Sequence, residues 1–233
     1  MEFEYSDRVK RLQRQLLDFM EDHVEPRMAQ WRREVRAGTY PVSFMADLKD
    51  LARAEGLWNL FLPSLRDDEP GTRLNNLEYA PLAEIMGRVP WASEVFNCNA
   101  PDTGNMEVFM KYGTEAQKSQ WLEPLLAGEI RSAYAMTEPA VASSDATNIE
   151  TRIEREGDEY VVNGSKTFIT NGINGDLVVV VAKTDPTQRH GGMSLLVVER
   201  DMPGLRGTPA VITTRSESAI SSGPVPPIGR QSK

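Results

Sequence analysis

The sequence of 233 residues is poor in the side chains that build metal and disulfide sites: it has one cysteine, Cys98, and two histidines, His23 and His190. A single thiol excludes an internal disulfide framework. No zinc-ligand spacing is present, so no metal site is expected. His190, beside Gly191-Gly192, reads as a solvated loop residue, and His23 as a helix-surface residue. Basic charge is also short. There are 26 Lys and Arg against 34 Asp and Glu, for a net charge of −8. Nucleic-acid binding needs clustered Lys and Arg, and so does docking to an anionic membrane surface. Long apolar runs are missing too. The longest, Leu177 to Ala182, falls far below the roughly 20 residues that span a bilayer. The opening Met1-Glu2-Phe3-Glu4 is acidic, unlike a secretory or mitochondrial leader. There is no Gly-x-Ser-x-Gly elbow and no phosphate loop of the P-loop or Rossmann kind. The expectation is a soluble, globular, cytoplasmic protein with no nucleic-acid or membrane partner.

What the sequence does have begins with helices. Val9, Leu12, Leu16, Phe19 and Met20 recur at helical spacing, with Ser6 or Asp7 as cap and Pro26 near the end or at a kink. A second helix follows Tyr40-Pro41 and stops at Gly56. A third, capped by Asn75-Asn76, runs through Leu77, Ala80, Leu82 and Ile85 to Gly87. A fourth covers 94–112 and is interrupted or kinked by Pro101 and Gly104. A fifth starts at Thr114, with Gln117 in the capping-box position, and ends near Gly128. Trp31, Trp58, Trp91 and Trp121 all lie in this half and read as packing residues. Cys98 reads as a buried thiol without a role.

After Arg131 the period changes. Strands are expected over 148–156 and 158–162. Asn163-Gly164 gives a hairpin turn, because both turn positions of such a hairpin favour positive φ, and 165–170 is the returning strand. Asn171-Gly172 and Asn174-Gly175 mark further turns. Strands over 177–183 and 194–199 follow. The fold class is therefore α+β: an N-terminal all-helical domain, then an antiparallel β domain. The expected domains are 1–131, 132–204 and a tail over 205–233. In that tail 12 of 29 residues are Gly, Pro or Ser, and disorder is expected beyond a short strand at 211–214.

One segment has a distinct composition: Tyr134-Ala135-Met136-Thr137-Glu138-Pro139, then Ala140-Val141-Ala142-Ser143-Ser144-Asp145. A loop of small and hydroxyl residues lets backbone N–H groups approach an anion or a planar ring. It reads equally well as a polar connector between domains.

Tyr112-Gly113-Thr114-Glu115-Ala116-Gln117-Lys118, Leu122 to Glu129, Ala135-Met136-Thr137-Glu138-Pro139 and Asn163 to Gly172 together resemble the acyl-CoA dehydrogenases in order and distance. Met136 to Asn148, with Ala100 to Glu107 upstream, is similar to the branch with acyl-CoA dehydrogenase family members 10 and 11. The resemblance covers about Tyr5 to Gly204. It implies an FAD enzyme that desaturates acyl-CoA thioesters between Cα and Cβ, with an electron-transfer flavoprotein as acceptor and a homo-oligomeric intact form. The cofactor would meet Tyr134, Met136, Thr137, Ser143, Ser144, Phe168, Ile169 and Thr170, with Ser144 also facing substrate. Glu138 is expected to be a structural carboxylate and not the base. The family's C-terminal helical bundle, which supplies the catalytic carboxylate, has no counterpart after Gly204, so no catalytic residue is assigned and the chain alone is expected to be inactive. A truncation or frame change after Gly204 would account for this. The alternatives are a binding or interaction module, a half-enzyme completed by a separate C-terminal polypeptide, and the same fold turned to oxidase or other flavin chemistry.

Overall fold

The computed structural model describes residues 4–62, 65, 67–68, 71–157, 159–207, 211–214 and 220–221. The chain divides into two compact units, one of 1–107 with 119–129 and one of 108–118 with 130–233.

The first unit is helical. Ser6 Oγ accepts from Val9 N at 3.3 Å and starts α1, Asp7–Phe19, whose Val9, Leu16 and Phe19 are buried. A wide turn, Met20–Val24, and a tight one, Glu25–Arg27, carry Pro26 and lead into α2, Met28–Arg36. A proline has no N–H for the helical ladder, so the bend falls there. Next comes α3, Met45–Ala54, after which Gly56 turns left-handed at φ 72°. The cap of α4, Asn76–Met86, is reciprocal: Asn75 Oδ1 accepts from Glu78 N while Glu78 Oε2 accepts from Asn75 N, both at 3.0 Å. Leu77, counted with this helix's apolar face in the sequence, is 77% exposed, and Pro81, Leu82, Ile85 and Met86 are the buried residues. The expected fourth helix is divided into α5, Ala92–Val95, and α6, Asp102–Tyr112, so Pro101 separates them while Gly104 sits inside α6 without breaking it. Thr114 and Gln117, in the 108–118 stretch that belongs to the second unit, form the expected capping box ahead of α7, Glu115–Gln117; in the first unit α8, Glu123–Ala127, ends at Gly128 with φ 70°.

The end of α8 is held by side chains. The last carbonyls of a helix lack their usual ladder partners; here Leu125 O accepts from Gly128 N at 3.0 Å, and side chains bond the end further. Asn97 Nδ2 donates to Leu125 O at 2.9 Å, Asn59 Nδ2 and Trp58 Nε1 donate to Leu126 O at 2.9 and 2.8 Å, and an Arg53 guanidinium N–H donates to Ala127 O at 2.7 Å. Asn97 also donates to Asn59 Oδ1 at 2.7 Å. The tryptophans described in detail are packing residues, as expected. Trp91 stacks on Trp31, with Phe44 edge-on, and Trp58 lies beneath the Arg53 guanidinium. Cys98 is buried, donates to Phe96 O, and has its thiol pushed up to about 12 by burial. His23 is half-buried, with its ring edge against Phe19.

The second unit is built on a sheet whose strands run β1, β4, β2, β3, β7, β6, with β5 on β4 and β8 on β3. The ranges are β1 Ser132–Ala135, β2 Arg152–Glu156, β3 Glu159–Thr167, β4 Leu177–Lys183, β5 Met193–Glu199, β6 Leu205–Gly207, β7 Val211–Thr214 and β8 Ile220–Ser221. The sheet is mixed. β2–β3 and β4–β5 are antiparallel, but β1 runs parallel to β4, with Tyr134 opposite Val179. The helical-then-β order is as expected, and the parallel pair corrects the all-antiparallel reading. β1 has only four residues, and its last two, Tyr134 and Ala135, fall in the segment read as loop. Leu177 to Ala182 of β4 are all buried, as fits a strand covered on both faces. Val178, Val180 and Ala182, with Ala133, Ala135, Ile153, Val162 and Val198, form a core cluster of the sheet.

The hairpin is also displaced. Asn163-Gly164 is not a turn: β3 runs straight through it, with Asn163 opposite Arg152 and Gly164 opposite Thr214. The reversal lies between Glu156 and Glu159, where Gly157 adopts φ 65°. Gly164 is needed for space, since a Cβ there would lie 2.2 Å from Thr151 Oγ1. The returning strand therefore ends at Thr167, not Thr170. In the tail, the strand expected at 211–214 is present, and strands at 205–207 and 220–221 lie where disorder was expected; its other residues lie outside the described ones.

Two alanine substitutions separate the two readings of this hairpin. Gly164→Ala overpacks a filled site and is expected to cost about 1–3 kcal/mol. Gly157→Ala meets open space and carries only the left-handed strain, about 1–2 kcal/mol. Chemical denaturation of both variants should show Gly164→Ala as the more damaging. A turn at Asn163-Gly164 would leave Gly157→Ala neutral.

Candidate functional site

The sequence segments expected to carry function lie in the second unit, at the ends of β1 and β3. Tyr134 is in β1, an exposed position in a strand whose other three residues are buried. Partial burial raises its phenol above the ordinary tyrosine range. Met136 follows, half-buried, and Thr137 is exposed. Across from them β3 ends at Thr167, whose N–H donates to Thr137 O at 2.8 Å.

Phe168 is the next residue. It takes φ 55° and is 84% exposed. Left-handed backbone is uncommon for a bulky L-residue, and a phenyl ring is poorly placed in water. The residues on either side explain how the conformation is held. Thr167 is bonded to Thr137 O, Ile169 packs against the sheet core, and Gly172 N donates to Ile169 O at 3.0 Å. Asn171, at φ 60°, donates through Nδ2 to Ser132 O at 3.0 Å. Arg200 donates to Gly172 O and Gly175 O at 2.8 and 2.9 Å. The loop is fixed, and the Phe168 ring is left outside it. Thr170 is exposed. Among the described residues the hydroxyls of Thr137, Ser144 and Thr170 have no hydrogen-bond partner in the protein.

Ser143 differs from Ser144. It is buried, its Oγ accepts from Glu138 N at 2.8 Å, and it donates to Val141 O at 3.3 Å. Its one proton is occupied inside the loop. Asp145 then closes the loop: Oδ1 accepts from Thr147 N and Thr147 Oγ1 at 3.0 and 2.7 Å, and Arg189 bonds to both residues. His190, next to Arg189, is exposed as expected.

At the centre is Glu138, with its side chain 4% exposed. Oε2 accepts from Glu150 N at 2.7 Å. Oε1 accepts from Thr151 N at 2.9 Å, Thr151 Oγ1 at 2.6 Å and Lys166 Nζ at 2.8 Å. Burial by itself would raise this carboxyl, but the Lys166, Thr151 and backbone donors outweigh it and hold the group below the ordinary range. Glu138 is thus tied into the fold by four hydrogen bonds, and a carboxylate held ionised in this way is a weak base for a substrate proton. Lys166, equally buried, also donates to Met136 O at 2.9 Å. Burial lowers its ammonium below the usual lysine range, and Glu138 partly offsets this.

Lys166 was not among the residues singled out from the sequence. A signal was available. Val162, Gly164 and Lys166 alternate onto one face of β3, so a lysine occurs where the strand faces inward, and a buried lysine requires a partner. Among the described residues no group of three or more His, Cys, Asp and Glu could hold a metal ion, and no helix is long and apolar enough to cross a membrane.

Removing one partner of a buried ion pair leaves the other charge uncompensated. Lys166→Met is expected to destabilise the fold by about 3–5 kcal/mol, read from chemical denaturation at neutral pH. The Glu138 contribution has a defined pH window. Its folded pKa is depressed, so its stabilisation is complete above the unfolded value of about 4.3 and is lost as pH falls through the folded one. Glu138→Gln should therefore flatten the dependence of stability on pH below about 4.3; an unchanged acid limb would contradict this.

The N-terminal domain model of the acyl-CoA dehydrogenases matches residues 6–129, and the middle domain model matches 133–219. The middle-domain match therefore continues past Gly204, where the family pattern was expected to fade. Acyl-CoA dehydrogenase family member 10 of Mus musculus is 50% identical over 208 residues, covering 86% of this chain and 19% of that protein. A solved Mycobacterium abscessus chain assigned to the same family is 41% identical with a TM-score of 0.82, covering 91% of this chain and 58% of the other. The acyl-CoA dehydrogenase of Geobacillus kaustophilus is 30% identical with a TM-score of 0.74, covering 93% and 57%. This chain thus spans about a fifth of the mouse relative and somewhat more than half of each solved one. With two family models covering most of its length, the chain belongs to the acyl-CoA dehydrogenase family.

Proposed function

We propose that the second unit presents the flavin-facing surface of an FAD-dependent acyl-CoA dehydrogenase, which desaturates acyl-CoA thioesters between Cα and Cβ. The observation that supports this best is Phe168: an aromatic ring 84% exposed on a left-handed residue, at the end of a strand bonded to the Met136–Glu138 segment. An exposed ring held by strained but well-anchored backbone fits a planar partner stacked on it. The residues present suit the cofactor. Phe168 would cover ring surface, with Ile169 packed behind it. Tyr134, Met136 and Thr137 would border the ring from the β1 end, and Thr170 would add a polar contact. Ser144 offers an open hydroxyl for pyrophosphate or substrate. Ser143 takes part by fixing the loop, because its hydroxyl bonds are already made inside it.

Bound FAD supplies the hydride acceptor in this chemistry. What the chain supplies is orientation. A base for the substrate α-proton must sit within about 3 Å of it, and Glu138 already accepts four hydrogen bonds. We therefore assign the base to no described residue. In this reading the electron acceptor would be an electron-transfer flavoprotein, and the intact protein would be a homo-oligomer.

Incubation with excess FAD followed by desalting is expected to leave a visible flavin spectrum on the wild-type chain, and much less on Phe168→Ala at equal folded content. A folded but colourless wild-type protein would overturn the cofactor assignment. With a panel of acyl-CoAs and an artificial electron acceptor, turnover by this chain alone should stay at the no-enzyme blank; clear reduction would refute the absence of a base.

A further inference from the structure

On the flavin reading above, we infer that Lys166 is a positioning residue for the cofactor: by bonding both Met136 O and Glu138 Oε1, it sets the spacing between the Met136–Thr137 segment and the Phe168–Thr170 segment.

Sheet connectivity gives such a link a role. β1 and β3 do not pair directly: they are joined through β4 and β2, and β2 meets β4 at a single register pair, Arg152 with Lys183. Yet the residues proposed to border the flavin continue from the ends of these two strands. Thr167 N to Thr137 O, at 2.8 Å, is a backbone link between them. Lys166 Nζ adds bonds to Met136 O at 2.9 Å and Glu138 Oε1 at 2.8 Å. Glu138 in turn extends the link to Glu150 N and Thr151 N, just before β2, and its own N–H donates to Ser143 Oγ. One ammonium thus fixes the strand end before Thr137, the loop that carries Ser144, and the strand that ends at Phe168.

Stability alone accounts poorly for this charge. A buried ion pair is often matched or exceeded by neutral side chains of similar volume. What a neutral pair does not supply is one group donating to a backbone carbonyl and a carboxylate on the same segment. Binding sites depend on such supporting contacts to hold contact residues in place.

The pair Lys166→Met and Lys166→Met/Glu138→Gln tests this. Folded content and melting temperature are measured by circular dichroism, and FAD affinity by quenching of flavin fluorescence, on the full chain. The double substitution leaves no uncompensated charge and is expected to regain much of the melting temperature lost by Lys166→Met. Its FAD dissociation constant should nevertheless stay about tenfold or more above wild type, the effect of losing one charge-assisted hydrogen bond. A purely structural role predicts that affinity returns with stability, so wild-type affinity in the folded double variant would overturn the inference while leaving the flavin reading intact. Wild-type protein that takes up no FAD would overturn both. Should the methionine variants not fold, Lys166→Gln carries the same expectation. Its side chain is one bond shorter and can still donate to Glu138, so it should fold and bind FAD more weakly; unchanged affinity would refute the role.

Discussion

The second unit depends on one buried carboxylate. Glu138 accepts from Lys166, from the Thr151 hydroxyl, and from the amides of Glu150 and Thr151. Those donors come from two separate stretches of chain, and the carboxylate belongs to a third. A charge this deeply buried is tolerable only when its lone pairs are bonded. The requirement works in both directions: the donors keep Glu138 ionised, and the ionised group holds the donors in place. Gly164 belongs to the same constraint. Any Cβ there would strike Thr151, the residue that gives Glu138 two of its bonds. The space beside the strand and the charge within it are one arrangement.

Much of the helical unit was legible in sequence because its signals are local. A hydroxyl or amide cap and a left-handed glycine stop are decided within four or five residues, so Ser6, Asn75, Thr114, Gly56 and Gly128 fall where their chemistry requires. The β unit was less legible. Asn-Gly is the strongest short-range turn signal, yet at Asn163-Gly164 the long-range requirement for an absent Cβ overrode it. β1 was hidden for the same reason. Its four residues show no alternation of their own and become a strand by lying parallel to β4. In the candidate site, motif resemblance named Thr137, Phe168 and Ser144 as cofactor contacts, the assignment proposed above. It did not show that Ser143 is occupied inside the loop or that Lys166 binds the carboxylate, since both facts depend on pairings across 5 to 30 residues.

Backbone strain separates structural from functional positions. Among the described residues, five non-glycine positions have positive φ: Asn59, Arg73, Asn97, Phe168 and Asn171. Asparagine adopts this conformation readily because its short amide can bond nearby backbone. Asn59, Asn97 and Asn171 use their amides on carbonyls 28 to 67 residues away, Leu126 O, Leu125 O and Ser132 O. In each case the side chain anchors the position to another part of the fold. Phe168 has no amide to do so. Its ring is exposed, so burial returns little, and its conformation is maintained by neighbours on both sides. A residue that gives the fold so little in exchange for its strain is best understood through what lies against its ring, and that contact is the one the flavin reading supplies.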